Sequence, residues 1–340
     1  MPAEWETQKA VMLTWPHAGT DWRDILGEVE PVFLDIAKAV LQFENLVVSC
    51  EDANKVNALS ALFETYIQDN NLPHSVRVLQ APADDTWARD HGPISVRTPT
   101  GLSLLDFAFN AWGGKFAYEK DNRINGKLAE AGAFGDLPMR AIDLVLEGGS
   151  IESDGQGTLL TTSECLLTPT RNPELDRTAI EAALSELLGA RHFLWLNHGY
   201  LAGDDTDSHI DTLARLCAAD TICYVACPDE TDEHYHALKA MEEELRNFHQ
   251  PDGQPYKLTP LPWPDAIHDD DGERLPATYA NFLIINGAVL LPVYGVAQDG
   301  EAIETLASLF PDRKIVPIQC RPLIKQHGSL HCVTMQIPAE

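Results

Sequence analysis

The 340-residue sequence is short of positive charge: 24 Lys and Arg stand against 52 Asp and Glu, a formal net charge of −28. Nucleic acid wants a basic face that neutralises phosphates, so that class of partner is excluded. An acidic field suits a cationic substrate, although acidity alone also keeps a protein soluble. Long apolar runs are missing too. None approaches the ~18 residues a membrane span needs. The N-terminus, Met1-Pro2-Ala3-Glu4-Trp5-Glu6, has no basic region followed by an apolar core, so no signal peptide is expected. Seven cysteines, at 50, 165, 217, 223, 227, 320 and 332, form no paired framework. An odd, unpatterned set points to a reducing compartment, and a cytoplasmic protein is expected. Cys223 and Cys227 lack the second pair that a structural zinc site requires. No Pro/Gly/Ser-rich linker divides the chain, so one domain over residues 1–340 is expected, large enough to need no disulfide support.

Apolar stretches alternate between two periods. Residues 9–17, 46–48, 76–79, 94–96, 102–109, 144–146, 151–152, 158–162, 192–196, 222–226 and 280–293 read as strands. Helices are expected over 28–44, where Val29, Val32, Phe33, Ile36, Val40 and Leu41 recur at helical spacing, and over 56–66, 175–188, 233–246 and 303–309. Ile210, Leu213, Ala214 and Cys217 fall at i, i+3, i+4 and i+7, which predicts a helix beginning near His209 with Asp207 or Ser208 as its N-cap. Asn110-Ala111-Trp112-Gly113-Gly114 reads as a turn and a pocket edge. The class is α/β, and by pattern alone a doubly wound sheet is the default.

Four polar motifs each follow an apolar strand: Trp87-Ala88-Arg89-Asp90, Leu146-Glu147-Gly148-Gly149, His209-Ile210-Asp211 and His331-Cys332. Strand ends are where sites tend to be built. From Asp90 to Glu147 is 57 residues, from Glu147 to His209 is 62, and from His209 to Cys332 is 123. The last interval is about twice the others. It suggests repeated modules with one skipped unit near Tyr279-Ala280-Asn281-Phe282, and another around Trp15. Singly, each motif has an ordinary explanation. Asp90 can pair with Arg89, Glu147 can accept from its glycine turn, Asp211 can sit in a helix's first turn, and Cys332 can be a buried structural cysteine. Together they supply a thiol, an imidazole and three carboxylates. Strand alternation places His331 and Cys332 on opposite faces, so a base for Cys332 has to come from elsewhere in the chain.

Two chemistries fit that set. One is a metal site with His209 and Asp211 as ligands, although no His-x3-His pair is present. The other is thiol attack on a guanidinium carbon, with opposed aspartates holding the planar cation through its N–H forks.

Trp-Ala-Arg-Asp-His-Gly-Pro, Leu-Glu-Gly-Gly-Ser-Ile-Glu, Gly-Asp-Asp-Thr-Asp-Ser-His-Ile-Asp and Leu-His-Cys-Val-Thr, in this order, closely resemble the agmatine deiminase family. The wider group is the guanidino-group-modifying enzymes, which include arginine deiminase and bacterial peptidylarginine deiminase. The resemblance runs from Met1 to Pro338. It implies the pentein fold, a five-module α/β propeller with pseudo-fivefold symmetry. It also implies Cys332 as nucleophile, His209 as general acid and base, Asp90 and Asp211 as guanidinium carboxylates and Glu147 as the carboxylate orienting His209. Trp87, with Trp112 at the pocket edge, is expected to bind substrate. No metal or organic cofactor is implied. The expected partner is a small cationic guanidino compound, with neither nucleic acid nor membrane, and a homodimer stays open. One departure stands out. The family's cysteine motif begins with consecutive glycines and an Asn, whereas here it reads His327-Gly328-Ser329-Leu330-His331-Cys332. That leaves peptidylarginine open beside agmatine as the substrate.

Overall fold

The computed structural model describes residues 1–339. Its strands, in chain order, are β1 (Gln8–Thr14), β2 (Asn45–Cys50), β3 (Val76–Gln80), β4 (Ile94–Thr98), β5 (Gly101–Ala108), β6 (Met139–Val145), β7 (Ile151–Ser153) and β8 (Thr158–Thr162). They continue as β9 (His192–Leu196), β10 (Ala214–Ala218), β11 (Thr221–Val225), β12 (Lys257–Leu261), β13 (Leu283–Ile285), β14 (Ala288–Val293), β15 (Lys314–Gln319) and β16 (Thr334–Pro338). They form five small mixed sheets, ordered β4-β5-β6, β7-β8-β9, β10-β11-β12, β13-β14-β15 and β16-β1-β2-β3. The doubly wound sheet that pattern alone suggested is therefore not formed.

Each sheet repeats one scheme. An antiparallel pair comes first, and a parallel strand follows after a connection that crosses back. Parallel neighbours need such a crossover, and helices fill it. In the last sheet the scheme closes through the chain ends: β16 runs antiparallel to β1, with Met335 opposite Met12. The module expected around Trp15 and the module of Cys332 are thus one unit. The helix Leu26–Leu41 buries Val29, Val32, Phe33, Ile36, Val40 and Leu41, the stripe its periodicity predicted. Each such side chain contributes about 1.5–3 kcal/mol when fully buried.

Three expectations fail locally. Residues 209–217 are not a helix: a single 3-10 turn, Ile210–Thr212, leads into strand β10. Ile210, Leu213, Ala214, Arg215 and Leu216 are all fully buried, so no exposed face existed to give the periodicity meaning. The run 280–293 is a hairpin, β13 and β14, turned by Asn286-Gly287 with Gly287 at φ 70°. Strands β12 and β15 were not expected because Pro260 and Pro317 lie inside them. Both are edge strands, where a missing N–H is tolerated.

Candidate active site

The segments just before β4, β7, β10, β13 and β16 carry Asp90, Glu147, His209 with Asp211, Asn281, and Cys332. One topological position in every sheet thus contributes to one site, which explains the near-regular spacing. Glycine lets these segments meet. Gly149 touches three of the functional groups: a Cβ there would lie 2.6 Å from His209 Nδ1, 2.8 Å from Asp90 Oδ1 and 3.1 Å from Asp211 Oδ2.

Cys332 sits in the turn before β16 and is almost wholly buried. Its Sγ lies 3.3 Å from Asn281 Oδ1, which also accepts from the backbone N–H groups of His331 (2.9 Å) and Cys332 (3.3 Å). Asp90 accepts from Gly149 N at 3.0 Å and from Trp112 Nε1 at 3.0 Å. Trp112 reaches it from a strained turn in which Ala111 and Trp112 both have left-handed backbone, φ 50° and 54°. His209 Nδ1 is 3.6 Å from Asp90 Oδ1 and its Nε2 is 4.0 Å from Glu147 Oε2, so neither buried ring nitrogen has a hydrogen-bond partner. Glu147 is gripped instead by Arg171, whose Nε donates to its two oxygens at 2.8 and 3.0 Å. Asp211 Oδ2 lies 2.7 Å from His331 Nδ1, leaving Oδ1 buried and unpartnered.

Above this floor opens a cavity of about 420 Å³, part of it open to solvent, lined by Trp87, Asp90, Trp112, Phe116, Gly328 and Cys332, with Asp21, Asp85 and Asp205 also on its walls. Gly328 allows the Trp87 ring to lie flush against the backbone, since a Cβ there would fall 2.2 Å from it. Trp87 is also held by Asp85 Oδ2 (2.9 Å) and by contact with Trp22 and Trp112.

Electrostatics set the resting state. Burial, then the charges of Asp211 and Asp90, pushes the Cys332 thiol well above its ordinary value. Burial, then Asp211 and Glu147, likewise raises Asp90 well above the carboxylate range. Burial brings His209 down to about 3. Burial alone would raise Asp211, but His331 beside it brings the carboxylate below its ordinary value. Burial thus favours a neutral thiol and a neutral imidazole, while His331 holds Asp211 toward its ionised form.

A metal centre fits this geometry poorly. Two groups of close donors exist among the described residues, Glu147/Cys165/His209 and Glu4/Glu152/His331, and neither pairs His209 with Asp211. Each already contains a cation: Arg171 on Glu147, and Arg215 on Glu4 (3.1 Å) and Glu152.

Of the seven residues expected from the sequence, Trp87, Asp90, Trp112 and Cys332 line the pocket, while His209, Asp211 and Glu147 are buried behind it, His209 standing between Asp90 and Glu147. Glu147 is the least direct, because Arg171 stands where a bond to His209 was expected. No local pattern pointed to Arg171, which sits in an ordinary loop, nor to Glu4 and Arg215. Asn281 was marked only by the gap in the motif spacing.

The Porphyromonas-type peptidyl-arginine deiminase family model matches residues 1–338. The agmatine deiminase of Stutzerimonas stutzeri (strain A1501) is 34% identical, covering 100% of this chain and 95% of that protein. A solved Porphyromonas gingivalis protein, provisionally named an arginine deiminase, is 50% identical (TM-score 0.90, 99% and 97% coverage). A C. jejuni agmatine deiminase, solved with one Cys-to-Ser change and substrate bound, is 36% identical (TM-score 0.88, 100% and 96% coverage).

Proposed function

This chain belongs to the Porphyromonas-type peptidyl-arginine deiminase family, and we propose that it is an agmatine deiminase, hydrolysing agmatine to N-carbamoylputrescine and ammonia. The observation that carries the reading is that the Cys332 thiol and Asp90 line an aromatic, acid-rimmed pocket, with the unpartnered His209 imidazole and Asp211 gathered beside Asp90 around Gly149. Asp90 and Asp211 hold the guanidinium. Its positive charge favours the ionised thiol and Asp90: as it binds, the thiol proton passes to the neutral His209 and the Asp90 proton is released to solvent. Cys332 sulfur attacks the guanidinium carbon. His209 carries a proton to the departing nitrogen, which leaves as ammonia. A thiouronium remains on sulfur. His209 then takes a proton from water, whose oxygen adds to the same carbon, and the C–S bond breaks to give the ureido product and restore the thiol.

Agmatine is favoured over arginine because Asp21, Asp85 and Asp205 line the cavity walls. A second ammonium complements them, whereas the carboxylate of free arginine is repelled and the amides of peptidylarginine gain no charge pairing. Two of the relatives similar over the whole chain are agmatine deiminases by name. The same reading takes the five sheets, each with one scheme and each feeding the site, as the modules of a single pentein propeller with pseudo-fivefold symmetry. It places the enzyme in the cytoplasm, where seven free, buried cysteines stay reduced.

The test is ammonia release from agmatine, free arginine and a blocked peptidylarginine. Agmatine is expected to give the highest kcat/KM by at least tenfold. A preference for the peptide would move the assignment to peptidylarginine deiminase, and no release from any of the three would sink it.

A further inference from the structure

Beneath the reacting groups lies a second set of charges that the proposed chemistry does not touch. Glu4, Arg89, Glu152, Asp211, Arg215 and His331 are all buried and come from five separate stretches of the chain, Asp211 and Arg215 sharing one. His331 is their centre. Its Nδ1 is 2.7 Å from Asp211 Oδ2 and its Nε2 is 2.7 Å from Glu4 Oε2. Arg215 Nη2 also stands 3.1 Å from Nε2, but the Glu4 oxygen is nearer and a carboxylate only accepts, so the ring carries a proton on each nitrogen, one toward Glu4 and one toward Asp211. Arg215 closes the set by donating to Glu4 and Glu152, and Arg89 lies 3.7 Å from Glu4. Three anions then balance three cations in a buried space. An unbalanced charge there is costly, and the set relieves it by gaining or losing a proton.

We propose that His331, held as an imidazolium by Glu4 of the N-terminal segment, is the positioning residue that keeps Asp211 ionised and turns its free oxygen to the substrate guanidinium. The proposal rests on the reading of Asp211 as a guanidinium carboxylate. His331 occupies Oδ2, and the unpartnered Oδ1 is what remains for a ligand. The other ionisable groups facing Asp211 are His209, which is neutral, Arg215, Arg89, Asp204 and, across the site, Asp90 and the Cys332 thiol. Only His331 touches it directly with a side-chain hydrogen bond. Glu4 acts from 327 positions away in sequence, through one ring. The N-terminal segment is therefore part of the site's electrostatics and not merely an outer strap.

The experiment measures agmatine binding by calorimetry between pH 5.5 and 8 in a Cys332→Ala background, so that no turnover is needed. His331→Gln leaves three anions against two cations. The set then takes up a proton, and Asp211 loses its charge at higher pH than before. Binding should weaken by about tenfold more at pH 5.5 than at pH 8, the equivalent of one pKa unit. Adding Glu4→Gln restores two against two and should recover at least half of that pH-dependent loss, making the double variant better than His331→Gln alone. A structural role for His331 predicts instead a loss that is equal at both pH values and made worse by the second change. Either result overturns the proposal. If His331→Gln does not fold, charge balance still requires the double variant to fold, and failure of both overturns it. The parent reading is separately exposed: if Asp211→Asn binds agmatine as tightly as its parent, Asp211 is no guanidinium carboxylate and this proposal falls with that role. Absence of ammonia release by the unmodified enzyme refutes the reaction while leaving the binding test intact.

Discussion

Replacing Gly149 by alanine tests the geometry of the whole site with one methyl group. The residue is buried, and its backbone lies outside the left-handed region, so alanine is compatible with its conformation. Ordinary contact begins near 3.4 Å, whereas the new Cβ would stand 2.6 Å from His209 Nδ1 and 2.8 Å from Asp90 Oδ1. The imidazole must retreat by about 0.8 Å and the carboxylate by about 0.6 Å, or the loop must move instead. Misplacing catalytic groups by about 1 Å costs on the order of 10²-fold in rate. Overpacking of this kind costs about 1–3 kcal/mol of stability, a fall of a few degrees in Tm. Gly149→Ala is therefore expected to keep its fold and lose about 100-fold in kcat/KM for agmatine, measured by ammonia release beside a thermal melt. The neighbouring change is the control. A Cβ on Gly148 would lie 2.2 Å from the backbone carbonyl oxygen of Arg89, which cannot swing aside, so Gly148→Ala should lose stability first. A Gly149→Ala enzyme within threefold of the unmodified rate would refute the arrangement of His209, Asp90 and Asp211 around this glycine.

Cys332→Ala is expected to abolish ureido product while leaving the melt unchanged within a few degrees, and substantial residual turnover would exclude covalent catalysis at this residue. Alkylation of free enzyme by iodoacetamide, tracked at Cys332 by mass spectrometry, should rise with an apparent pKa at or above ~8, because burial and two carboxylates oppose the thiolate; a value below ~7 would mean a preformed thiolate–imidazolium pair. EDTA should leave activity unchanged, since Arg171 and Arg215 already supply the positive charge in both donor groups; loss of activity restored by a divalent metal would revive His209 and Asp211 as ligands. Asp121 supports the Trp87 loop by accepting from the backbone of Asp84 and Asp85, and burial raises its carboxyl to about 8. The folded protein thus holds a proton that the unfolded chain releases near pH 4. The stability it brings is full below that pH and is lost as pH rises to about 8. Asp121→Asn should flatten the fall in Tm across this window, and an unchanged slope would contradict the raised carboxyl.

Residue type and short-range order determined much of this protein from the sequence alone. Apolar runs marked most strands and helices, because burial of one face or of a whole strand is written locally as periodicity or as its absence. The ordered motifs marked Asp90, Glu147, His209, Asp211 and Cys332, because each sits at the same step of a repeating unit, the turn before the first strand of a sheet. What the sequence could not determine is which partner each group meets. Residues 210–217 have helical spacing, yet they pair as a strand with Thr221–Val225, since burial on every side erased the meaning of the period. The family resemblance implied a bond from Glu147 to His209, but Arg171, 24 residues on, takes both its oxygens. His331 looked like a neighbour facing away from Cys332. Only the folded chain shows it joining Glu4 to Asp211, because β16 closes on β1 and brings the two ends of the sequence together. Such pairings are set by charge balance in a buried space, and they link residues that no local pattern connects.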